Sequence, residues 1–349
     1  MKKVIIWLLL ILCLVGCGKN ETNTVNDNEL SGIEKTDDEQ RDEIINEDLQ
    51  TEVQPNKIVL PQNVTEETIN GMWNNESLAK VFTSVGNKMY FCQWEKDGKE
   101  AALYQMEIGQ DSLQEVGMDI PEGMNIYAMT SDVYNNLHIL IRTKVSSSDE
   151  VTSIIRTIDS NGNFVKDLDI SAAIGGEISL HQAFLADSKG NFYITGLWDT
   201  MGIDSEGNKL WMLENRALGI GDSYTAFLST DDELYLPYQK NDATYLGKVD
   251  ILSGDLVEEY SMAAMDGNDR ILAMGQDENG TVLLYSSASG IWKWNCKENS
   301  LNNTVEMSES NLAGNEYILI RAFLADGRLF LTKNIDDNGR VYQYIPIQK

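Results

Sequence analysis

The stretch Ala183–Trp198, AFLADSKGNFYITGLW, decides the fold. An apolar run, Ala183-Phe184-Leu185-Ala186, halts at Asp187-Ser188-Lys189-Gly190-Asn191, and a second β-prone run, Phe192-Tyr193-Ile194-Thr195, follows at once. Asp accepts hydrogen bonds from nearby amides, while Gly and Asn take up positive φ at little cost. Between two β-rich runs such residues read as a hairpin turn. Ala322-Phe323-Leu324-Ala325-Asp326 repeats the opening before Leu329-Phe330-Leu331. Weaker copies start at Ala128-Met129, Ala226-Phe227 and Ala273-Met274, and a degenerate one at Val81-Phe82.

Aligned on the first apolar residue of the second strand, the copies fall at positions 89, 137, 192, 234, 282 and 329, an average period of 48. Several strands per unit at a period in the forties mark an all-β propeller. The third unit divides into an inner strand at 178–185, a second at 191–197, a third at 201–205 and an outer strand at 208–214. Turn signals at Asp159–Gly162, Asp204–Gly207 and Ser253–Asp255 separate third from outer strands; none continues into the acidic ligands of an EF-hand loop. The sixth unit lacks an outer strand, whereas Lys57–Leu60 supplies a spare one ahead of the first. A six-bladed ring of four-stranded antiparallel blades follows, with the N-terminal strand closing the last blade.

The 349 residues carry 55 acids against 27 bases, a formal charge of −28. That balance argues against nucleic acid or an anionic lipid surface, both of which need a basic face. Residues 1–17 show a positive start, Lys2-Lys3, then an apolar run too short to span a bilayer comfortably. Leu14-Val15-Gly16-Cys17 resembles the lipobox of bacterial lipoproteins. The resemblance implies cleavage before Cys17 and a diacylglycerol on its thiol, which would hold the protein on the extracytoplasmic face of the membrane. Residues 18–56 hold twelve acids, three bases and no aromatic residue, and read as a disordered tether; 57–349 forms the propeller domain. Cys92 and Cys296 lie on separate blades with no CxxC spacing, so both read as buried free thiols. No metal and no cofactor is expected.

The run Asp187…Gly196 resembles the bacterial β-propeller repeat of secreted proteins, whose units read D-x-x-G-N-x-Y-hydrophobic-T-G. Asp204-Ser205-Glu206-Gly207-Asn208-Lys209-Leu210-Trp211 is similar to the D-x-x-G-x-x-x-W turn of quinoprotein-like repeats. Together they imply a propeller of the quinoprotein-like or YVTN-like superfamily over residues 57–349. Both motifs concern structure; neither implies an activity.

Two histidines, His138 and His181, are poor material for histidine-centred acid–base catalysis. His138 falls in the packing column of Tyr90, Tyr193 and Tyr235 and reads as packed. Trp292-Lys293-Trp294 places both indoles on one side of a strand, as a layer between blades. Trp94 and Trp198 fall where the second strand meets its connection to the third, at the same rim as His181, and there aromatic stacking on a glycan or peptide is expected. Tyr224, Arg270 and Arg321 complete the expected ligand-binding set. No catalytic residue is singled out. The expected function is a lipid-anchored binding or scaffolding module for a protein, peptide or glycan. The alternative is an extracytoplasmic carbohydrate hydrolase or lyase with paired carboxylates at the central mouth.

Overall fold

The computed structural model describes residues 56–57, 82–93, 101–110, 113–143, 151–175, 183–196, 199–215, 225–265, 270–277, 279–286, 289–305, 317–325, 327–335 and 340–346. All belong to a compact unit spanning Glu52–Lys349. The leader, Cys17 and the acidic segment up to residue 55 lie outside the described residues.

The chain folds as an all-β propeller of four-stranded antiparallel blades. Apart from β1 (Asn56–Lys57), strands run in chain order within each sheet. The first blade holds β2 (Phe82–Val85), β3 (Lys88–Gln93), β4 (Ala102–Glu107) and β5 (Gln114–Val116). The second holds β6 (Met124–Ser131), β7 (Leu137–Thr143), β8 (Ser153–Ile158) and β9 (Phe164–Asp169). The third holds β10 (Ala183–Ala186), β11 (Phe192–Thr195), β12 (Asp199–Ile203) and β13 (Lys209–Glu214). The fourth holds β14 (Phe227–Leu228), β15 (Leu234–Lys240), β16 (Ala243–Val249) and β17 (Leu256–Ser261). The fifth holds β18 (Ile271–Gln276), β19 (Val282–Ser286), β20 (Gly290–Asn295) and β21 (Ser300–Val305).

Five blades, not six, are thus built from four consecutive strands. The remaining sheet joins β22 (Tyr317–Ala325), β23 (Arg328–Ile335) and β24 (Arg340–Pro346) to β1. β1 pairs antiparallel with β24, Asn56 opposite Tyr344 and Lys57 opposite Gln343. The expected strand at 57–60 therefore starts one residue early, and 58–60 lie outside the described residues. Arg328 reaches from β23 towards the turn between β2 and β3, its Nη2 lying 3.3 Å from Asn87 Oδ1.

Burial explains the apolar runs of the second strands. Every residue of β11 and of β19 is buried, since each blade face packs against a neighbour. The outer strands β9 and β17 are mostly exposed. The core is a series of layers between successive blades. Leu103 and Ile139 share the first, Leu140 and Phe184 the second, Tyr193 and Leu236 the third, and Leu246 and Trp294 the fourth. The indoles of Trp292 and Trp294 both enter the fourth layer, where Trp294 meets the Tyr235 ring edge-on at 5.3 Å.

Several details depart from expectation. Cys92 is buried, but Cys296 is only partly so, because it sits in the β20–β21 turn beside the core; neither forms a disulfide. The third strand of the third blade begins at Asp199, not 201, and stops before Asp204, whose carboxylate is drawn into the following turn. One short helix, α1 (Ser171–Ile174), turns the chain between the second and third blades and buries Ala173 and Ile174. It ends on Gly175 at φ 61°, a conformation glycine adopts without strain.

Candidate functional site

Antiparallel blades alternate their connections between two ends. One end gathers the turns after the inner and the third strands. Four of these turns share one device in full, and Asp277 makes its two backbone bonds with Thr281 standing in place of the Asn. Asp132, Asp159, Asp187 and Asp204 each accept, through Oδ1, the backbone N–H groups two and four residues on, at 2.8–2.9 Å. In each, the Asn at the fourth position also donates its side-chain amide to the same carboxylate. The third position needs positive φ, supplied by Asn135 or by a glycine such as Gly190 at 81°. Two local amides and a side-chain donor satisfy each carboxylate, which accounts for the D-x-x-x-N spacing. Among the described residues no group of three or more His, Cys, Asp or Glu is arranged to hold a metal.

Neighbouring blades are tied together at this end. Asp232, on the β14–β15 turn, accepts the Ser188 backbone N–H at 2.9 Å and its hydroxyl at 2.5 Å. The Thr230 N–H donates to Gln276 Oε1 of the fifth blade at 2.9 Å. These contacts bridge the third, fourth and fifth blades in succession.

His138 belongs to the same device. Its Nε2 lies 3.0 Å from Asp132 Oδ2 and its Nδ1 3.0 Å from Thr157 Oγ1, with the Phe192 ring packed edge-on at 5.1 Å. A carboxylate only accepts, so Nε2 donates to Asp132, and in the neutral ring Nδ1 then accepts from the Thr157 hydroxyl. In the third blade Tyr193 holds the equivalent column and donates its phenol to Asp187 at 2.9 Å. His138 thus replaces a structural tyrosine, as its packing column implies. Burial opposes ionisation of Asp132, but hydrogen bonds from His138 and Asn136 outweigh it and hold its pKa below the ordinary carboxylate value. Burial is the main cause that raises the Tyr193 phenol, and the Asp187 carboxylate adds to it.

The opposite end was expected to bind the ligand. Trp94, His181, Trp198 and Tyr224 lie outside the described residues. Arg270 is exposed immediately before β18. Arg321 lies within β22 opposite Thr332, at an irregularity in the β22–β23 ladder. The described residues at this end add groups the sequence reading missed. Arg142, at the end of β7, is 2 % exposed and places its guanidinium 5.6 Å from the Tyr127 ring centre, with Nε donating to Ser153 Oγ at 3.0 Å. Burial lowers its pKa from the ordinary guanidinium value, with the Tyr127 phenol acting the other way. In the third blade the fully buried Thr200 donates to Asn215 Oδ1 at 3.1 Å. The signal for Arg142 was a lone cation closing the apolar run Leu137–Ile141.

No family model matches the sequence, and no curated protein matches it. Solved structures do show likenesses of fold. A virginiamycin B lyase from Staphylococcus aureus is 14% identical over 78% of this chain and 85% of its own, with a TM-score of 0.45. A luciferin-regenerating enzyme is 13% identical over 77% of this chain and 92% of its own, at 0.46. YCF48 bound to a D1 peptide is 10% identical over 76% of this chain and 77% of its own, at 0.44. At this level of likeness none of them bears on activity.

Proposed function

We propose that the chain is a six-bladed ring closed by β1, lipid-anchored through Cys17 on the extracytoplasmic face of the membrane. In this reading it acts as a non-catalytic binding or scaffolding module for a protein, peptide or glycan. One observation carries the reading: the aspartates that open four described turns, and the histidine beside one of them, are committed to structure. Asp132, Asp159, Asp187 and Asp204 are occupied by their own turns, and His138 is occupied by Asp132 and Thr157. The turns are also bonded across blades, which makes a stiff platform suited to presenting a surface. The ligand is assigned to the rim of Trp94, His181, Trp198 and Tyr224, with Arg270 and Arg321 as flanking cations.

The test is to probe peptide and glycan arrays with the detergent-solubilised protein and then incubate each ligand with it in solution. The reading expects saturable binding of one ligand class with the ligand recovered intact. Time-dependent cleavage of a bound glycan would overturn it in favour of a carbohydrate hydrolase or lyase.

A further inference from the structure

We propose that the outer wall of the second, third and fourth blades carries a docking surface for a basic polypeptide segment with apolar side chains, at the turn end opposite the proposed rim. It rests on the binding-module reading only in taking the protein to have a partner. The three outer strands share an irregularity. Phe164 and Lys166 oppose Ile158 and Thr157, leaving Val165 unopposed. Lys209 and Trp211 oppose Ile203 and Gly202, leaving Leu210 unopposed. Leu256 and Glu258 oppose Val249 and Lys248, leaving Val257 unopposed. Each is a one-residue bulge at the same place in its blade, and each holds an exposed apolar residue: Val165 at 52 %, Leu210 at 38 % and Val257 at 53 %.

A bulge breaks the ladder and increases twist, which blunts an edge strand against another strand. That role is served by any side chain, and best by a charged one. Three aliphatic residues at three equivalent bulges need a different reason. The neighbours reinforce the pattern, with Phe164 at 61 %, Leu252 at 69 % and Tyr134 at 64 % exposed at the same end. Apolar side chains exposed at equivalent places on three successive blades offer a partner a repeated set of anchors, and the bulges dictate docking through side chains in place of strand addition.

Charge selects the occupant. On these strands and the turns before them Asp169, Glu206, Glu214 and Asp255 are exposed, against the exposed Lys166 and Lys209, while the exposed Asp167, Glu258 and Glu259 are paired with Arg156, Lys248 and Lys240. Apolar residues framed by carboxylates suit a partner carrying both Lys or Arg and Leu-like side chains. The same carboxylates repel an anionic lipid surface.

The experiment titrates the detergent-solubilised protein with three short synthetic peptides of equal length: Lys/Leu, Glu/Leu and Lys/Ser. The Lys/Leu peptide should bind, more weakly at high salt. Val165→Ser, Leu210→Ser and Val257→Ser together should weaken it about tenfold or more. Glu206→Gln with Asp255→Asn should weaken it and flatten its salt dependence. Both variants should melt like the wild type, since the changed side chains are exposed. Wild-type affinity in the triple variant, or equal binding of the Lys/Ser or Glu/Leu peptide, would overturn the proposal. Self-association lost in the triple variant, or partition onto phosphatidylcholine vesicles without peptide binding, would overturn it by naming a second copy or a bilayer as occupant. Glycan or peptide binding at the opposite rim should be unchanged in both variants, so a failure here is distinct from a failure of the binding-module reading.

Discussion

Trp211 of the third blade donates its indole N–H to the carbonyl of Ile251 in the fourth, at 2.8 Å. The contact depends on Gly254, because a Cβ there would fall 2.6 Å from the indole. Gly254 also holds φ at 78°, where an L side chain is strained. Trp211→Ala should therefore destabilise the protein by about 3–5 kcal/mol. Gly254→Ala should also lower the urea midpoint, although it adds only a methyl group. An unchanged midpoint for Gly254→Ala would show that this blade contact is not close-packed.

The Asp turns should differ in cost according to burial. Asp187 is 1 % exposed and accepts from Lys189, Asn191 and the Tyr193 phenol. Removing it with Asp187→Ala strands those donors and should cost about 2–4 kcal/mol. Asp159 makes the same local bonds in an exposed turn without a tyrosine partner, so Asp159→Ala should cost clearly less. Denaturant melts of the two variants check the order.

Acid should act partly through Asp132. Its folded pKa lies below the ordinary value, so its contribution is present above the unfolded carboxylate pKa of about 3.9 and is lost as pH falls through the lower, folded pKa. Wild-type protein should lose more stability between pH 6 and pH 3 than Asp132→Asn does, as urea midpoints at the two pH values would show. His138→Ala, which leaves Asp132 and Thr157 without their buried partner, should lower stability at both.

The turns were legible because their chemistry is local: Asp, Gly and Asn at fixed spacing dictate the same bonds wherever they occur. The strands between them followed from apolar runs, and the inward faces of Trp292 and Trp294 from simple alternation. The bulges at Val165, Leu210 and Val257 were not legible, because register belongs to a pair of strands and no single strand encodes it. Arg142 was missed because burial of a cation depends on Ser153 and Tyr127, which reach it only through the sheet and its bulge. The expected ligand rim rested on connections between strands, and Trp94, His181, Trp198 and Tyr224 lie outside the described residues.

The anchor is checked separately from the propeller. Cys17→Ala should abolish acylation and leave the precursor uncleaved, held by its apolar leader. Palmitate labelling of the variant as strong as that of the wild type would contradict the lipid-anchor proposal.

Closure of the ring through β1 is tested most directly by two truncations. Deleting residues 18–50 leaves β1 and its pairing with β24 in place and should not change the melting temperature. Deleting residues 18–62 removes β1, exposes the edge of β24 and withdraws Ile58 and Leu60, each worth about 1.5–3 kcal/mol if buried. Against a total stability of roughly 5–15 kcal/mol, the longer truncation should melt far lower or aggregate by edge-to-edge pairing. Equal melting temperatures for the two proteins would contradict closure by the N-terminal strand.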